Sequence, residues 1–335
     1  MGDKKIRIGI LGAGAMGATH AAAYATVTNV EIAGIFGRNP ERVRSVAALC
    51  GAVPVTDVAT LIQDMAVDAI DVCLPSAVHA AFVIPALEQG KHVFCESPLA
   101  PRLDEARQMR DAARRADRLL QVGLLMRSVG AYAHLKTATE TGEHGRLLSF
   151  VAHRLGSYLR SGRPDHKAHY GDPSTELMTF DFDIVLWLMG RPARLSASAT
   201  RTDGGAPGEI SALLSYDDGC HATIAASGLM PSGFPFTVGF RALFERAAFE
   251  LSTVFEDDPP KSTFTMVGES GPRRPVPVAV RNPYEAELQR FVDCIRDRAD
   301  PALLDAERAI EALTLSAATR RALDEGGAVE INTVR

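Results

Sequence analysis

The chain has 335 residues, and its 36 lysines and arginines against 41 aspartates and glutamates give a formal net charge of −5. A hydrophobic fraction of 46% with 23% charged residues is typical of a globular protein. This length favours two domains over one. The sequence has no basic stripe, which argues against a nucleic-acid partner. It also lacks a long apolar run or a signal-peptide-like segment, so we expect a cytoplasmic protein without a membrane span.

The cysteines and histidines show none of the spacings that hold a metal ion. Five cysteines are scattered along the chain without a CxxC pair, and we expect them to be reduced and mostly buried: Cys50, Cys73, Cys95, Cys220 and Cys294. The sequence therefore predicts no metal site.

A glycine-rich turn near the start of the chain is the strongest functional signal. The apolar run Ile6–Leu11 leads directly into Gly12-Ala13-Gly14-Ala15-Met16-Gly17 and an alanine-rich stretch, which predicts a strand, a turn and a helix. In a dinucleotide site the three glycines permit the tight turn, the approach of a pyrophosphate and the packing of helix on strand. We therefore expect the cofactor to contact Gly12, Gly14, Ala15, Met16 and Gly17.

The end of the next predicted strand indicates which dinucleotide is bound. The strand Glu31–Phe36 is followed by Gly37 and Arg38, where an enzyme specific for NAD places a carboxylate on the ribose hydroxyls. Arg38 can instead form charge-assisted hydrogen bonds to a 2′-phosphate, with Arg42 as a second partner. The sequence thus favours NADP(H) over NAD(H), the alternative being that both arginines are ordinary solvated charges.

Strands and helices alternate through the first third of the chain, which predicts a doubly wound parallel sheet over residues 1–124, an NADP-binding Rossmann domain. Ligands of such sheets bind at the carboxyl ends of the strands. Those ends place three segments near the nicotinamide: Leu74-Pro75-Ser76, Glu96-Ser97-Pro98 and the residues after Gly123.

Beyond about residue 147 the pattern changes to short strands broken by turns, which predicts an α/β domain with a large open, mainly antiparallel sheet over residues 125–281. One helix near 181–189 would cover one face. Four phenylalanines are candidates for a subunit contact through the other face, in a homodimer or homotetramer: Phe234, Phe236, Phe240 and Phe244. Residues 282–335 predict two amphipathic helices that pack back on the two domains.

Several fragments, in their order and spacing, are shared with one known family over nearly the whole chain. They are Gly12–Gly17 with His20, Leu74–His79, Gly90–Ala100, Gly171-Asp172-Pro173, and Asp183 with Trp187–Gly190. On these residues the chain resembles the glucose-fructose oxidoreductase, inositol dehydrogenase and rhizopine-catabolism (Gfo/Idh/MocA) family. The resemblance implies a Rossmann domain followed by an open sheet, and a bound nicotinamide cofactor acting on pyranose, cyclitol or related polyol substrates.

The chain departs from the family at the residues that the resemblance makes catalytic. Members usually have Glu-Lys-Pro where this sequence has Glu96-Ser97-Pro98, and that lysine touches the nicotinamide ribose and the reacting hydroxyl. Members also carry an aspartate and, four residues later, a histidine or tyrosine, at positions that Glu176 and Phe180 occupy here. A general base typically contributes roughly 10²–10⁴ in rate, so its loss without replacement would be severe.

Nearby residues are candidates to replace the missing groups. His169 and Tyr170 precede a segment that lines the substrate cleft in the family, and they are predicted catalytic residues together with Glu96 and Ser97. Their alternative role is a solvated polar loop. The resemblance adds His79 and Arg127 to the cofactor contacts. The expected substrate contacts are Ser97, Arg127, Arg154, His169, Glu176, Phe180 and Asp181.

Three functions are compatible with these residues. The first is an NADP(H)-dependent oxidoreductase acting on a carbonyl or hydroxyl, or on an imine or enone, of a sugar-like, cyclitol-like or ring-type small molecule. The second is a catalytically silent sensor or regulatory protein that binds a dinucleotide, which the loss of both acid–base groups motivates. The third is an NAD(P)-assisted glycosidase or lyase, which also requires a base.

Overall fold

A computed structural model describes residues 4–159, 172–257, 259–279 and 281–334. The chain divides into two compact units. The first comprises Met1–Val129 with Arg281–Ile310, and the second comprises Gly130–Val280 with Glu311–Arg335. The carboxyl-terminal segment is thus shared between the units rather than forming a body of its own.

The first unit is built on a six-stranded parallel sheet of order β3-β2-β1-β4-β5-β6. This is the predicted doubly wound sheet, in which the strand order reverses between β1 and β4. The strands are β1 (Ile6–Leu11), β2 (Val30–Phe36), β3 (Val53–Val55), β4 (Ala69–Val72), β5 (His92–Cys95) and β6 (Leu120–Val122).

Helices cover this sheet and begin where the sequence provides caps. Asn39 accepts hydrogen bonds from the backbone N–H groups of Glu41 and Arg42, and Pro40 occupies the first helical turn. The helices of the unit are α1 (Ala15–Tyr24), α2 (Pro40–Cys50), α3 (Ala59–Ile62), α4 (His79–Glu88), α5 (Leu103–Ala116) and, from the carboxyl-terminal segment, α9 (Pro283–Ile295).

The register aligns the carboxyl ends of the strands. Leu11 pairs with both Phe36 and Val72, Val72 pairs with Cys95, and Cys95 pairs with Val122. The segments that follow these strands therefore emerge at one edge of the sheet. That edge carries the glycine turn, Gly37-Arg38, Leu74–Ser76 and Glu96-Ser97.

The second unit contains a nine-stranded sheet of order β14-β13-β12-β11-β7-β10-β9-β8-β15. All of its pairs are antiparallel except β7 with β10. The mainly antiparallel sheet is thus confirmed. The strands are β7 (Leu147–Leu155), β8 (Arg194–Arg201), β9 (Pro207–Ser215), β10 (His221–Ser227), β11 (Phe236–Phe244), β12 (Ala247–Phe255), β13 (Lys261–Gly268), β14 (Arg274–Pro275) and β15 (Val329–Glu330).

One face of this sheet packs against helices and forms the core of the second unit. Tyr132 packs on Phe240 with ring centroids 4.9 Å apart, and Phe150 packs on the same ring at 5.5 Å. The described helices here are α6 (Gly130–Thr141), α7 (Pro173–Glu176) and α8 (Met178–Met189), with α10 (Ala306–Glu325) running from the first unit into the second.

Two of the four phenylalanines predicted at a subunit contact lie in this core. Phe240 and Phe244 are 2% and 1% exposed, because the even-numbered residues of β11 face the helices. For these two residues the prediction was wrong. Phe234 and Phe236 are half-buried.

No helix among the described residues has the length and apolar character needed to cross a membrane. All five cysteines are free thiols, and Cys73, Cys95 and Cys294 are buried.

Candidate cofactor and active site

The glycine turn after β1 has the geometry that a pyrophosphate requires. Gly12 adopts a φ of +121°, and a Cβ there would lie 2.4 Å from the carbonyl oxygen of Cys73. A Cβ on Gly17 would lie 1.9 Å from the Gly12 oxygen. A Cβ on the exposed Gly14 would instead meet no protein atom within 4 Å, so space remains beside its backbone. The two outer glycines are required by packing and the middle one leaves room for a ligand.

The amino terminus of α1 opens onto that space. Gly14 is its N-cap, and no side chain caps the first turn. Unpaired N–H groups and the positive end of the helix dipole favour a phosphate at this position. Ala15 is exposed and Met16 is half-buried. These residues fit a dinucleotide, and Gly12–Gly17 would hold its pyrophosphate.

The segment after β2 carries exposed arginines. Arg38, Asn39, Pro40, Glu41 and Arg44 line an open depression at the start of α2. Gly37 has no room for a side chain, because a Cβ would lie 3.0 Å from Ala13 and Val43. Arg42 is exposed on the same helix but is not among the residues lining the depression. The sequence reasoning missed Arg44, although it stands only two residues beyond Arg42.

Leu74, Pro75 and Ser76 follow β4 at the same edge, and Pro75 is exposed there. The His79 ring lies inside the unit at 1% exposure, with Nε2 2.7 Å from the Leu74 oxygen and Nδ1 3.1 Å from the Leu99 oxygen. Burial lowers the pKa of His79. The ring thus ties two loops together, and the cofactor contact expected of His79 stays a prediction.

Glu96 and Ser97 follow β5 at the same edge. The Ser97 backbone N–H donates to Glu96 Oε2 at 3.0 Å, and the Ser97–Pro98 peptide is cis. The Glu96 side chain is 12% exposed and Ser97 is half-buried. A Cβ on Gly123, which follows β6, would lie 3.1 Å from Glu96 Oε2. The carboxylate thus occupies room that a glycine leaves open.

Behind Glu96 lies a buried ionisable cluster that the sequence reasoning did not assemble. His20 Nδ1 donates to Asp71 Oδ2 at 2.8 Å, and Nε2 lies 2.7 Å from Glu96 Oε1 as an off-axis ion pair. Cys73 Sγ is 3.3 Å from Nδ1. Glu287 on α9 brings a carboxylate oxygen within 4.8 Å of both the His20 and Glu96 ligand atoms. The available signal was Asp71, a charged residue inside an otherwise apolar strand.

Burial opposes a charge on His20, but Asp71 and Cys73 outweigh it and raise the pKa of His20 well above 6.5. Burial, with the neighbouring charge of Glu96, raises the pKa of Glu287 well above 4.5. Both Glu287 oxygens are without a hydrogen-bond partner and the residue is 0% exposed. The His20 ring thus lies between two carboxylates, with Nδ1 2.8 Å from Asp71 and Nε2 2.7 Å from Glu96.

Arg127 lies inside the first unit. It is 6% exposed, and its Nη1 donates to the Leu303 carbonyl oxygen at 2.8 Å. Its contacts with cofactor and substrate stay predictions. The arginine ties the segment after β6 to the short turn Pro301–Leu303 of the same unit.

In the second unit Arg154 and Asp181 neutralise each other. Arg154 on β7 donates to Asp181 on α8 from Nε at 2.9 Å and from Nη2 at 3.1 Å, and their side chains are 5% and 1% exposed. Their pairing leaves neither side chain open to solvent, and the substrate contacts expected of both stay predictions. Burial raises the pKa of Asp181, and Arg154 offsets part of that rise.

Glu176 and Phe180, which the sequence comparison predicts at the aspartate and histidine positions of the family, lie at the end of α7 and in α8. Both are half-exposed. The Arg154 guanidinium lies over the Phe180 ring, 4.8 Å from its centroid. Residues 160–171, which include His169 and Tyr170, lie outside the described residues, and their catalytic assignment stays a prediction.

Comparison with known proteins agrees with this arrangement. A family model described as "Oxidoreductase family, NAD-binding Rossmann fold" matches residues 6–124, and a Gfo/Idh/MocA C-terminal domain model matches residues 132–250. The chain belongs to the Gfo/Idh/MocA oxidoreductase family. The resemblance inferred from the sequence is thereby confirmed.

Individual relatives share between about a quarter and a third of their residues with this chain over the matched lengths. An oxidoreductase of Bacillus subtilis, YrbE, is 32% identical over 191 residues, covering 56% of this chain and 54% of that protein, so the match spans about half its length. Inositol 2-dehydrogenase 4 of Saccharopolyspora erythraea is 27% identical over 88% of this chain and 87% of that protein. A UDP-N-acetylglucosamine 3-dehydrogenase structure from Acidithiobacillus ferrooxidans superposes with a TM-score of 0.80 at 24% identity, covering 96% and 98% of the two chains. That last likeness establishes the fold.

Proposed function

We propose that this protein is an NADP(H)-dependent oxidoreductase that transfers a hydride to or from a carbonyl or hydroxyl carbon of a sugar-, cyclitol- or ring-type small molecule. The observation that carries the proposal is the glycine turn with open space at Gly14, at the strand edge shared by Arg38 and Ser97. An inositol 2-dehydrogenase related over most of the chain supports a polyol-like substrate.

The preference for NADP(H) rests on charge at the end of β2. Arg38 and Arg44 are exposed, and neither has a carboxylate partner among the described residues. Both can donate to a 2′-phosphate. Glu41 lines the same depression and opposes that phosphate, so the two arginines must outweigh one acid. Arg42, exposed on the same helix, is a further candidate partner.

The acid–base group is atypical. The bound nicotinamide supplies or accepts the hydride, and the protein must take or give the hydroxyl proton. Ser97 cannot carry the charge that a lysine would, and a phenylalanine stands at the histidine position. The candidates to handle the proton are His169, Tyr170 and the Glu96-Ser97 pair, of which only the pair lies within the described residues.

A direct test titrates the protein with NADPH and NADH by nucleotide fluorescence and then follows nicotinamide absorbance with a panel of cyclitols, pyranoses, ketones, imines and enones. We expect tighter binding of NADPH and turnover of at least one member. Binding without turnover of any member would contradict the oxidoreductase.

A catalytically silent sensor is the second candidate, and the pairing of Phe180 with Arg154 favours it, because the family's catalytic position is filled by a packed ring. The double variant Ser97→Lys with Phe180→His restores both family residues. Polyol oxidation that is present in the double variant and absent in the wild type would support the sensor. Wild-type turnover would exclude it.

We also propose that the protein is a cytoplasmic homodimer or homotetramer assembled through the open face of the second sheet. Leu213 and Leu243 are each 42% exposed, in strands whose neighbouring residues point into the core. Sedimentation equilibrium checks the assembly, and a monomer at micromolar concentration would contradict it.

A further inference from the structure

We propose that Glu96 is the acid–base group of this protein, and that His20 and Asp71 are positioning residues that hold its carboxylate in place. The proposal rests on the oxidoreductase function proposed above and names the group that handles the proton there.

Asp71, His20 and Glu96 form a continuous triad across three elements of the first unit. Asp71 lies on β4, His20 on α1 and Glu96 directly after β5, with contacts of 2.8 Å and 2.7 Å between them. Asp71 and His20 are 0% exposed, whereas the Glu96 side chain is 12% exposed. The triad therefore starts at a fully buried residue and ends at one that solvent or a ligand can reach.

Glu96, the exposed end of the triad, lies where a substrate is expected. Glu96 emerges at the carboxyl edge of the parallel sheet, where ligands of this fold bind. It precedes Ser97, whose backbone N–H holds its Oε2. Gly123 leaves space for the same carboxylate. The Ser97 hydrogen bond to Oε2 and the His20 ion pair with Oε1 hold the side chain in one orientation.

The surroundings of His20 leave it as the single base among acids. The groups that face it are Tyr24 from α1, Asp71 and Cys73 from β4 and its end, Glu96 from the end of β5, and Tyr284 and Glu287 from α9. Asp71, Glu96 and Glu287 make no ion pair with lysine or arginine in the described part of the chain. An isolated buried carboxylate is costly, so the burial of Glu287, with both oxygens unpartnered, favours its protonated form. The carboxylates in direct contact with His20 are Asp71 and Glu96.

This arrangement defines the proton step. In the oxidation of an alcohol, the C–H bond breaks and its electron pair leaves as the hydride, which a bound nicotinamide cofactor would accept. The C=O bond forms, and the O–H proton passes to a carboxylate oxygen of Glu96. Glu96 then releases the proton to water. His20 holds the Glu96 carboxylate through the ion pair at Nε2, and Asp71 holds the His20 ring through Nδ1. In the reverse direction protonated Glu96 gives the proton to the carbonyl oxygen.

The contacts within the triad can be tested without turnover by following the His20 ring with ¹⁵N NMR across pH. We expect His20 to remain protonated well above pH 6.5, and to lose its proton at lower pH in Glu96→Gln and in Asp71→Asn. A wild-type ring that is neutral at pH 6.5, or one that neither variant affects, would overturn the proposed triad.

Its catalytic part is tested with the best substrate of the panel described above. Glu96→Gln should lower kcat by about 10²–10⁴-fold with NADPH affinity changed less than about threefold. His20→Gln should move the acid limb of the kcat/KM profile to higher pH, because the positive charge that favours ionised Glu96 is lost. A merely structural role would lower the yield of folded protein without moving that limb.

His92→Gln is the matched control, because His92 is half-buried at the opposite end of β5 and accepts a hydrogen bond from the Leu119 backbone. It should leave both kcat and the limb in place. Wild-type turnover with unchanged kcat in Glu96→Gln would overturn this inference and leave the proposed function standing. No turnover in the wild type would overturn the proposed function and the catalytic role of Glu96 together. The NMR titration would still decide whether Asp71, His20 and Glu96 interact as proposed.

Discussion

Arg154 and Asp181 join the central strand of the second sheet to helix α8 through a two-pronged ion pair, at 2.9 and 3.1 Å, in a region where neither side chain is more than 5% exposed. Removing one partner of a buried ion pair leaves the other charge unpaired and lowers the free energy of unfolding by about 3–5 kcal/mol, whereas removing both charges lowers it less. We therefore expect Asp181→Asn and Arg154→Met each to destabilise the protein strongly, and the double variant to be less destabilised than the sum.

Urea denaturation of the four proteins measures this coupling. The exposed pair Arg102–Asp104, at 2.8 Å, provides a control in which Asp104→Asn should change the unfolding free energy very little. Additive effects of the two core substitutions would show that the pair is not coupled as the geometry indicates.

Arg38 should determine the choice of dinucleotide. A charge-assisted hydrogen bond contributes about 1.5–3 kcal/mol, so Arg38→Ala should weaken NADPH binding roughly 10- to 100-fold and NADH binding far less. Glu41→Gln should strengthen NADPH binding, because it removes the one acid in the depression. Fluorescence titration of both nucleotides measures each effect, and equal losses for NADPH and NADH in Arg38→Ala would refute the 2′-phosphate role.

The same titration with Arg44→Ala and Arg42→Ala separates the second phosphate partner from its neighbour. Arg44 lines the depression with Arg38 and Arg42 does not, so we expect Arg44→Ala to have the larger effect on NADPH. The opposite order would restore Arg42 as the partner predicted from the sequence.

Gly14→Ala should weaken both nucleotides without unfolding the protein. Its Cβ meets no protein atom within 4 Å, and the Gly14 φ of −83° is open to alanine. The added methyl group would occupy the space left for the pyrophosphate. Gly233→Ala is the control, since a Cβ there also meets nothing within 4 Å. Comparable nucleotide affinity in the two variants would contradict the assignment of the site.

Glu287 should make the protein less stable as the pH rises. Its pKa is raised by burial, so the folded chain keeps a proton that the unfolded chain releases above about pH 4.5, and stability falls above that pH. Glu287→Gln mimics the protonated acid and should be more stable than the wild type at pH 8, with little difference at pH 4.

Unfolding in urea at both pH values checks this sign. Glu88→Gln, on the exposed surface of α4, should show no such divergence between pH 4 and pH 8. A Glu287→Gln variant that tracks the wild type at both pH values would mean that this carboxyl is not held neutral in the folded protein.

The sequence predicted the features that depend on local pattern. The turn Gly12–Gly17 and the parallel strands follow from glycine spacing and alternating apolar runs, and Glu96 was placed correctly at a strand end. It could not predict pairing between distant residues. Arg127 and Arg154 read as free charges because their partners, Leu303 and Asp181, lie far along the chain.

The side chains around His20 illustrate the same limit. Asp71, Glu96 and Glu287 come from three separated segments, and only the register of the strands and the seating of α9 bring them to one imidazole. Phe240 was misplaced for a related reason, because alternation in a strand defines two faces without saying which one the helices cover.

The parallel pairing of β7 with β10 sets the order in which the second unit can be completed during synthesis. β7 ends at Leu155, but the strands on its two sides are β10, beginning at His221, and β11, ending at Phe244. Before β10 is made, β7 has two open edges, and between the synthesis of β10 and of β11 it still has one. A strand in that state pairs readily with other chains. The nascent second unit is therefore vulnerable to aggregation until most of the chain has been made.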